Sequence, residues 1–269
     1  MLTLILSVVL GLSVGLGLYF GNVFGYGWST FFGVLSFGAA NMVAGFLIQK
    51  KVKAAMARVQ DVMLAGQKRM QAKMARWQMR PPGSIQAAQA EMAKDQKEIV
   101  VKALAETEPL HRFDLWVPLM KRQIATAQFQ LHWMIKDFAK VDELMPKVLF
   151  VDPTMAAMKM ARFHMLGKPT EEITKVYEKG ARRLRYNQNV LLAAAYSWIL
   201  VQRNEIDAAF KALNHALENS DDATLKANRE HLANNRVAHF SNTAIGDSWY
   251  ALLLEEPKMH QQRQRMQWR

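Results

Sequence analysis

The sequence predicts an all-α protein: two apolar helices forming an N-terminal transmembrane hairpin, then a soluble body of helix–turn–helix repeats stacked as an α-solenoid. Three observations predict it. Residues 1–49 contain no Lys, Arg, Asp, Glu or His, whereas all 35 basic and 23 acidic side chains follow them, so the solvent changes at that point. No later stretch alternates apolar and polar residues as a half-buried strand would. The body also repeats itself at intervals of about thirty residues, the length of one helix–turn–helix unit. The chain therefore divides into two spans (1–49), a basic juxtamembrane helix and hinge (50–83), a repeat body (84–257) and a basic tail (258–269).

Leu2 to Phe20 and Trp28 to Ile48 are uncharged runs of about the length that crosses roughly 30 Å of hydrocarbon. Lipid offers the backbone no hydrogen bonds, so each run must satisfy its own and is helical. The seven residues from Gly21 to Gly27 are a turn-competent link, flanked by Tyr19 and Trp28 at belt positions. A cleaved secretory signal fits less well, because its basic start and small-x-small cleavage site are missing. Lys50, Lys51 and Lys53 follow the second span at once, which by the positive-inside rule places the body in the cytoplasm of a bacterial inner-membrane type of bilayer. Gly11, Gly15 and Gly17 in the first run with Gly21 just after it, and Gly38 and Gly45 in the second, are spaced to let helices approach closely. They serve the hairpin itself or a homo-oligomer. With no ionisable residue in either span, the hairpin carries no proton or ion path.

Residues 50–80 hold nine Lys or Arg against the single Asp61. Val52, Met56, Val59, Met63, Gly66 and Met70 recur at heptad spacing, and Lys50, Lys51, Lys53, Arg58, Lys68, Arg69, Lys73 and Arg76 fall mostly off that seam. The amphipathic helix so defined continues the second span. It suits anionic lipid head groups, a paired coiled-coil stalk, or, less well in the absence of a binding motif, nucleic acid. Pro81-Pro82-Gly83 ends it as a hinge, and Ser84 caps the next helix. Helix then runs from Ile85 to about Glu106, breaks near Pro109 and restarts around Leu115, with Pro118 tolerated in a first turn.

Three segments align beyond that point. Arg122 to Pro153 ends in Val151-Asp152-Pro153. Thr154 to Asn187 contains Ala161, the turn Gly167-Lys168-Pro169, Tyr177 and Gly180. Val190 to Ala223 contains Ala193, Tyr196, the turn Asn204-Glu205-Ile206, then Ala209, Leu213 and Ala216. These segments resemble tetratricopeptide repeats: Ala209, Ala216, Ala161 and Gly180 match the family's small positions, Leu213 its large apolar position, and Tyr177 its aromatic one. The first helices lack the family's Trp and Gly. The resemblance implies a solenoid, closed by Thr224 to Asn235, that binds a partner protein along a concave surface. It carries over no partner-reading residue.

Catalytic chemistry finds no nominee. Without cysteine there is no disulfide, thiolate zinc site or thiol nucleophile. No two of the seven His lie two to four residues apart, and no phosphate loop is present, so neither metal nor cofactor is expected. Glu171-Glu172, Asp221-Asp222 and Glu255-Glu256 suit solvated helix ends, and the 17 Met suit adaptable cores. Trp249 to Leu254 is apolar enough to dock, and the tail beyond Pro257 is expected to be disordered. The expectation is a non-enzymatic membrane-tethered scaffold. Its alternatives are a structural subunit that oligomerises through hairpin and heptad helix, and an enzyme of unrecognised helical type.

Overall fold

The computed structural model describes residues 2–79, 83–117, 119–150, 152–182 and 185–256. The expectations placed on Pro81 and Pro82 of the hinge, on Pro118, on Val151 and on the tail 258–269 lie outside the described residues. All described elements are helical, and the chain forms two compact units, Met1–Leu149 and Phe150–Arg269.

The first unit opens with α1 (Leu2–Phe20) and α2 (Tyr26–Met79), both containing stretches long and apolar enough to cross a membrane. Their packing is inverted relative to a water-soluble hairpin. Thr3, Ser7, Gly11, Ser29 and Gly33 are buried, while twenty-one large apolar side chains between Leu4 and Leu47 are exposed. The hydroxyls of Ser13, Ser29 and Thr30 donate to carbonyls of the hairpin itself, those of Val9, Phe24 and Tyr26.

Helix α2 runs unbroken through the solvent boundary. Its basic half pairs antiparallel with α3 (Ile85–Thr107), which Ser84 caps by accepting from the amide of Ala87 at 3.1 Å. The heptad seam is filled within the chain. Val59, Val62 and Met63 pack with Val100, Ala103 and Leu131, while Val52 and Met56 pack with Leu110, Phe113, Met120 and Ile124. That corrects the coiled-coil expectation: the periodicity marked a face to be covered, and α3, the 3-10 turn Glu108–Phe113 and α4 (Met120–Met134) cover it. Gly66, unsuited to a coiled-coil seam, is the notch that receives Ile99; a Cβ there would sit 2.5 Å from Ile99 Cγ2.

Gly66→Ala should therefore destabilise this unit. Overpacking of about 1–3 kcal/mol outweighs the roughly 1 kcal/mol that alanine gains in helix propensity. In an Ile99→Ala background the clash is gone, and the same change should stabilise by about 1 kcal/mol. Chemical denaturation of the four chains of this cycle in mild detergent checks the reversal of sign.

The expected restart at Leu115 is also corrected. Helix α4 begins only at Met120 because Leu119 takes φ 66°, in the left-handed region. Gln128 donates to Thr107 and Gln96 to the Met134 carbonyl, so α4 returns antiparallel along α3. Phe138 at the start of α5 (Phe138–Leu144) packs edge-on against Trp133.

The second unit contains α6 (Pro153–Met165), α7 (Thr170–Ala181), α8 (Val190–Gln202), α9 (Ile206–Leu217), α10 (Ala223–Ala233) and α11 (Asp247–Tyr250). Asp152 caps α6 with Pro153 in its first turn, and Asp222 caps α10. Helix α8 is apolar all round and sits at the centre, with every residue from Leu192 to Leu200 buried.

Among the described residues, four helices beyond α3 end in one and the same motif, which also closes α1, where Asn22 takes φ 52° and the Val23 amide donates to Leu18 O at 3.3 Å. A left-handed residue (Lys136, Gly167, Asn204, Asn235) is followed by an amide that donates back to the carbonyl five residues earlier: Asp137 to His132, Lys168 to Phe163, Glu205 to Leu200 and Arg236 to His231. These Schellman closures satisfy carbonyls that a helix end leaves orphaned. They fix a sharp reversal after α4, α6, α8 and α10.

Candidate functional site

Two surfaces gather the residues that the sequence singles out. The first is the apolar α1–α2 hairpin with the basic stretch that follows it. Gly11 and Gly15 lie in the α1–α2 seam opposite Gly33: a Cβ on Gly11 would meet Gly33 O and Phe37 Cβ, each at 2.8 Å, and one on Gly15 would meet Ser29 O at 3.3 Å. Gly33 was missed in the sequence, although Ser29 and Gly33 make a small-x-x-x-small pair. Gly17, Gly38 and Gly45 have no atom within 4 Å of an added Cβ, and a Cβ on Gly21 would meet only the hairpin's own Gly17 O and Val23. Those four take no part in the seam.

The eight basic residues expected at lipid head groups are divided by the helix that carries them. At 1.5 Å per residue, Lys50, Lys51 and Lys53 lie within about 8 Å of Ile48 along the axis and Arg58 about 15 Å away. Lys68, Arg69, Lys73 and Arg76 lie about 30–42 Å beyond it. If this unbroken helix left a bilayer at Ile48 it could not also lie flat on it, and charges beyond a Debye length of about 8 Å would be screened from the surface. Of the eight, only Lys50, Lys51 and Lys53 lie within such a length of Ile48.

Arg69 and Lys73 are committed elsewhere. Lys73 Nζ contacts Asp95 and, at 2.6 Å, Glu91 Oε1, while Arg69 reaches Glu98 at 3.7 Å. The hydrogen bond to Asp95, with a second to Glu91, raises the Lys73 ammonium above its ordinary pKa, and its partner Asp95 is held below the usual carboxylate range. The sequence could not show this, because the two sides of the cluster are separated by the hinge.

The second surface is on the Phe150–Arg269 unit. A groove of about 530 Å³ is lined by Thr170, Glu171, Thr174, Lys175 and Glu178 of α7 and by Glu205 in the turn before α9. Its walls are cross-braced. Thr170 Oγ1 donates to Glu205 Oε1 at 2.6 Å and accepts from Arg203 Nη1 at 2.9 Å, while Arg203 Nη2 donates to Lys168 O. Beside it Tyr177 and Tyr196 stack with ring centroids 4.2 Å apart, and Thr174 shares a 2.8 Å hydrogen bond with the Tyr196 hydroxyl. Burial pushes the Tyr177 phenol up to about 12, with Tyr196 adding to the shift. Three carboxylates and the Lys175 ammonium line the groove, and the Arg203 guanidinium braces its wall.

The other residues matched to repeat positions lie at helix contacts. Ala161, Ala209 and Leu213 are fully buried and Ala216 nearly so. A Cβ on Gly180 would meet Leu192 Cδ2 at 2.9 Å. Glu255, which the sequence suggests is solvated, is gripped instead. Trp198 Nε1 donates to one carboxylate oxygen at 2.7 Å and Trp249 Nε1 to the other at 2.8 Å. Asn228 and Asn242 form a buried pair tied to the Ala194 carbonyl, so the segment after α10 is fastened to α8. His132 and His215 pair with Asp137 and Glu218, each at 3.1 Å.

His164 lies edge-on to Trp198 with its Nδ1 buried. Burial, reinforced by Arg203, depresses its pKa. As pH falls below about 6.5 the unfolded chain therefore takes up a proton that the folded unit resists, and stability declines with it. Urea midpoints at about pH 7.5 and about pH 5.5 should differ more for the native chain than for His164→Gln. Equal differences would refute the assignment.

Comparison with protein-family models, with curated proteins and with solved structures finds no match to this chain.

Proposed function

We propose that this chain is a membrane-anchored adaptor whose α1–α2 hairpin crosses a bilayer and whose tetratricopeptide-like helices hold a partner protein at the cytoplasmic face of a bacterial inner membrane. The observation that carries the anchor is the inverted packing of the hairpin. Leaving a large apolar side chain in water forgoes about 1.5–3 kcal/mol, and with twenty-one of them exposed while Ser7, Ser29, Gly11 and Gly33 are buried the arrangement favours an apolar solvent. Lys50, Lys51 and Lys53 at the end of the apolar run set the orientation. Flotation of the full chain with vesicles, retained after alkaline carbonate, tests the anchor; release into the carbonate supernatant would refute it.

Partner capture rests on the resemblance of α6–α9 to stacked repeats and on the acidic groove along α7, which suits a basic segment of another protein. A photo-crosslinking residue at Thr174 of the full chain in its own cells should give one discrete adduct, absent when placed at Lys211 and lost with Glu171→Lys and Glu178→Lys. An adduct indifferent to those charges would move the contact away from the groove. A second reading, a structural subunit that self-associates in the bilayer, draws on Gly17, Gly38 and Gly45, which have nothing packed within 4 Å. Monomeric full-length protein in bilayers would dismiss it.

A further inference from the structure

The first turn of α1 is bound to a segment more than a hundred residues away. The amide of Leu2 donates to Leu115 O at 2.9 Å, and Thr3 Oγ1 donates to Trp116 O at 3.4 Å. A helix leaves the amides of its first turn without intrahelical partners. Here a later turn of the chain supplies one, and thereby fixes its own height against the start of the apolar run.

The same turn is held from beneath. Leu110, Phe113, Met120 and Ile124 are buried in one cluster with Ala55, and Ile48, Val52, Met56 and Val117 pack against it. Ile48 and Val52 belong to the stretch where α2 passes from apolar to basic sequence. Two independent contacts, one to the beginning of α1 and one to the transition in α2, therefore set the turn level with the boundary of the apolar hairpin.

What it displays there is apolar. Leu115 is 63% exposed and Leu119 56% exposed, with Trp116 between them half-buried. Leu119 holds this position at φ 66°, a conformation that L side chains rarely adopt and that Gly or Asn would accept with less strain. Near them in sequence are Arg112, Lys121 and Arg122, and Lys50, Lys51 and Lys53 flank the Ile48 and Val52 that pack beneath the turn, all six exposed. Asp114 is the one acid between Pro109 and Gln123, and one of its carboxylate oxygens is engaged by His111 at 3.1 Å.

We infer that this turn is a third membrane contact: Leu115 and Leu119 enter the acyl boundary beside the N-terminus of α1, Trp116 lies at the interface, and the surrounding cations meet lipid phosphates. The inference rests on the anchoring reading above and adds to it. A Trp flanked by exposed leucines and rimmed by Lys and Arg is the composition that partitions to a headgroup–acyl boundary. The bilayer is the occupant because the turn is hydrogen-bonded to the first residue of a spanning helix. A partner protein would have to reach the same place through the head groups. The start of α4 is then seated on the membrane surface at this point as well as joined to it through α2.

The chain has no cysteine, so single spin labels can be placed in the full-length protein without other changes. Leu115→Cys and Leu119→Cys, with Leu35→Cys in the second span and Lys211→Cys on the repeat unit as references, would be labelled and reconstituted into phosphatidylethanolamine–phosphatidylglycerol vesicles. Power saturation with oxygen, which concentrates in acyl chains, and with a water-soluble nickel chelate then reads each environment. The expected result is several-fold lower nickel accessibility at 115 and 119 than at 211, with oxygen accessibility approaching that at 35.

Nickel access at 115 and 119 equal to that at 211, with 35 shielded, would overturn the contact and leave the anchor standing. Exclusion of both relaxants would show protein packed on the turn, a partner or a second copy, and would also overturn it. Free nickel access at 35 would bring down the anchor and this inference together. A label-free check is quenching by lipids brominated near the headgroup, which Trp116→Phe should measurably reduce; unchanged quenching would count against the placement.

Discussion

Replacing Gly11 by valine is expected to force α1 away from α2 and to cost the hairpin about 3 kcal/mol, the upper end of what overpacking usually costs. The reason is which atoms stand in the way. An added Cβ would meet the Gly33 carbonyl oxygen and Phe37 Cβ, both at 2.8 Å, and neither is the far end of a side chain that could swing aside. In the bilayer proposed for them the two helices would gain nothing from hydrophobic attraction to each other, so close backbone approach would supply most of their affinity. Gly17→Val is the matched control: nothing lies within 4 Å of its added Cβ, and a surface change of this kind stays within about 0.5 kcal/mol. Spin labels on exposed positions of the two helices, such as Leu4 and Phe46, should report a longer, broader distance distribution for Gly11→Val and an unchanged one for Gly17→Val. Equal behaviour of the two variants would mean that the seam lies elsewhere.

The second large effect is expected at Trp249. Its side chain is fully buried and meets Trp198 edge to face at 5.9 Å, and its indole N–H donates to Glu255. Trp249→Ala should cost about 3–5 kcal/mol, a large share of the roughly 5–15 kcal/mol that holds an ordinary domain folded. Residues 237–256 should come loose from α8 first, so limited proteolysis should cut there before the repeat helices yield. Trp249→Phe keeps most of the packing but removes one of the two indole donors to Glu255. The cost should shrink to the worth of a charge-assisted hydrogen bond, about 1.5–3 kcal/mol. If Trp249→Phe proved as damaging as alanine, the carboxylate clamp and not the buried ring would be holding the segment.

Much of the local structure was legible because its causes are local. The charge-free runs, Ser84 as a cap, Asp152-Pro153 at a helix start, and Gly167 and Asn204 at reversals all act within a few residues of themselves. What could not be read depends on who lies opposite. Heptad spacing from Val52 to Met70 shows that one side of α2 is covered, but nothing in that interval says that α3 and α4 of the same chain cover it. Arg69 and Lys73 look like their basic neighbours until the hinge folds Asp95 and Glu91 onto them. Lys136 closes its turn in the same left-handed conformation as Gly167 and Asn204 without the residue type that would announce it. Leu119 delays α4 by an unfavourable dihedral that composition cannot reveal. The acidic groove joins residues of α7 to Glu205, about thirty residues later.

The unbroken course of α2 makes the helix a lever. About 46 Å of rod extends from Ile48 to Met79 at 1.5 Å per residue, so pivoting it by about 10° sweeps its far end through about 8 Å. Spanning helices adjust their tilt to the thickness of the bilayer around them. If the hairpin spans a bilayer as proposed, a change of lipid composition too small to alter any contact within it would be magnified into a displacement wider than a helix turn at the point where α3 is attached.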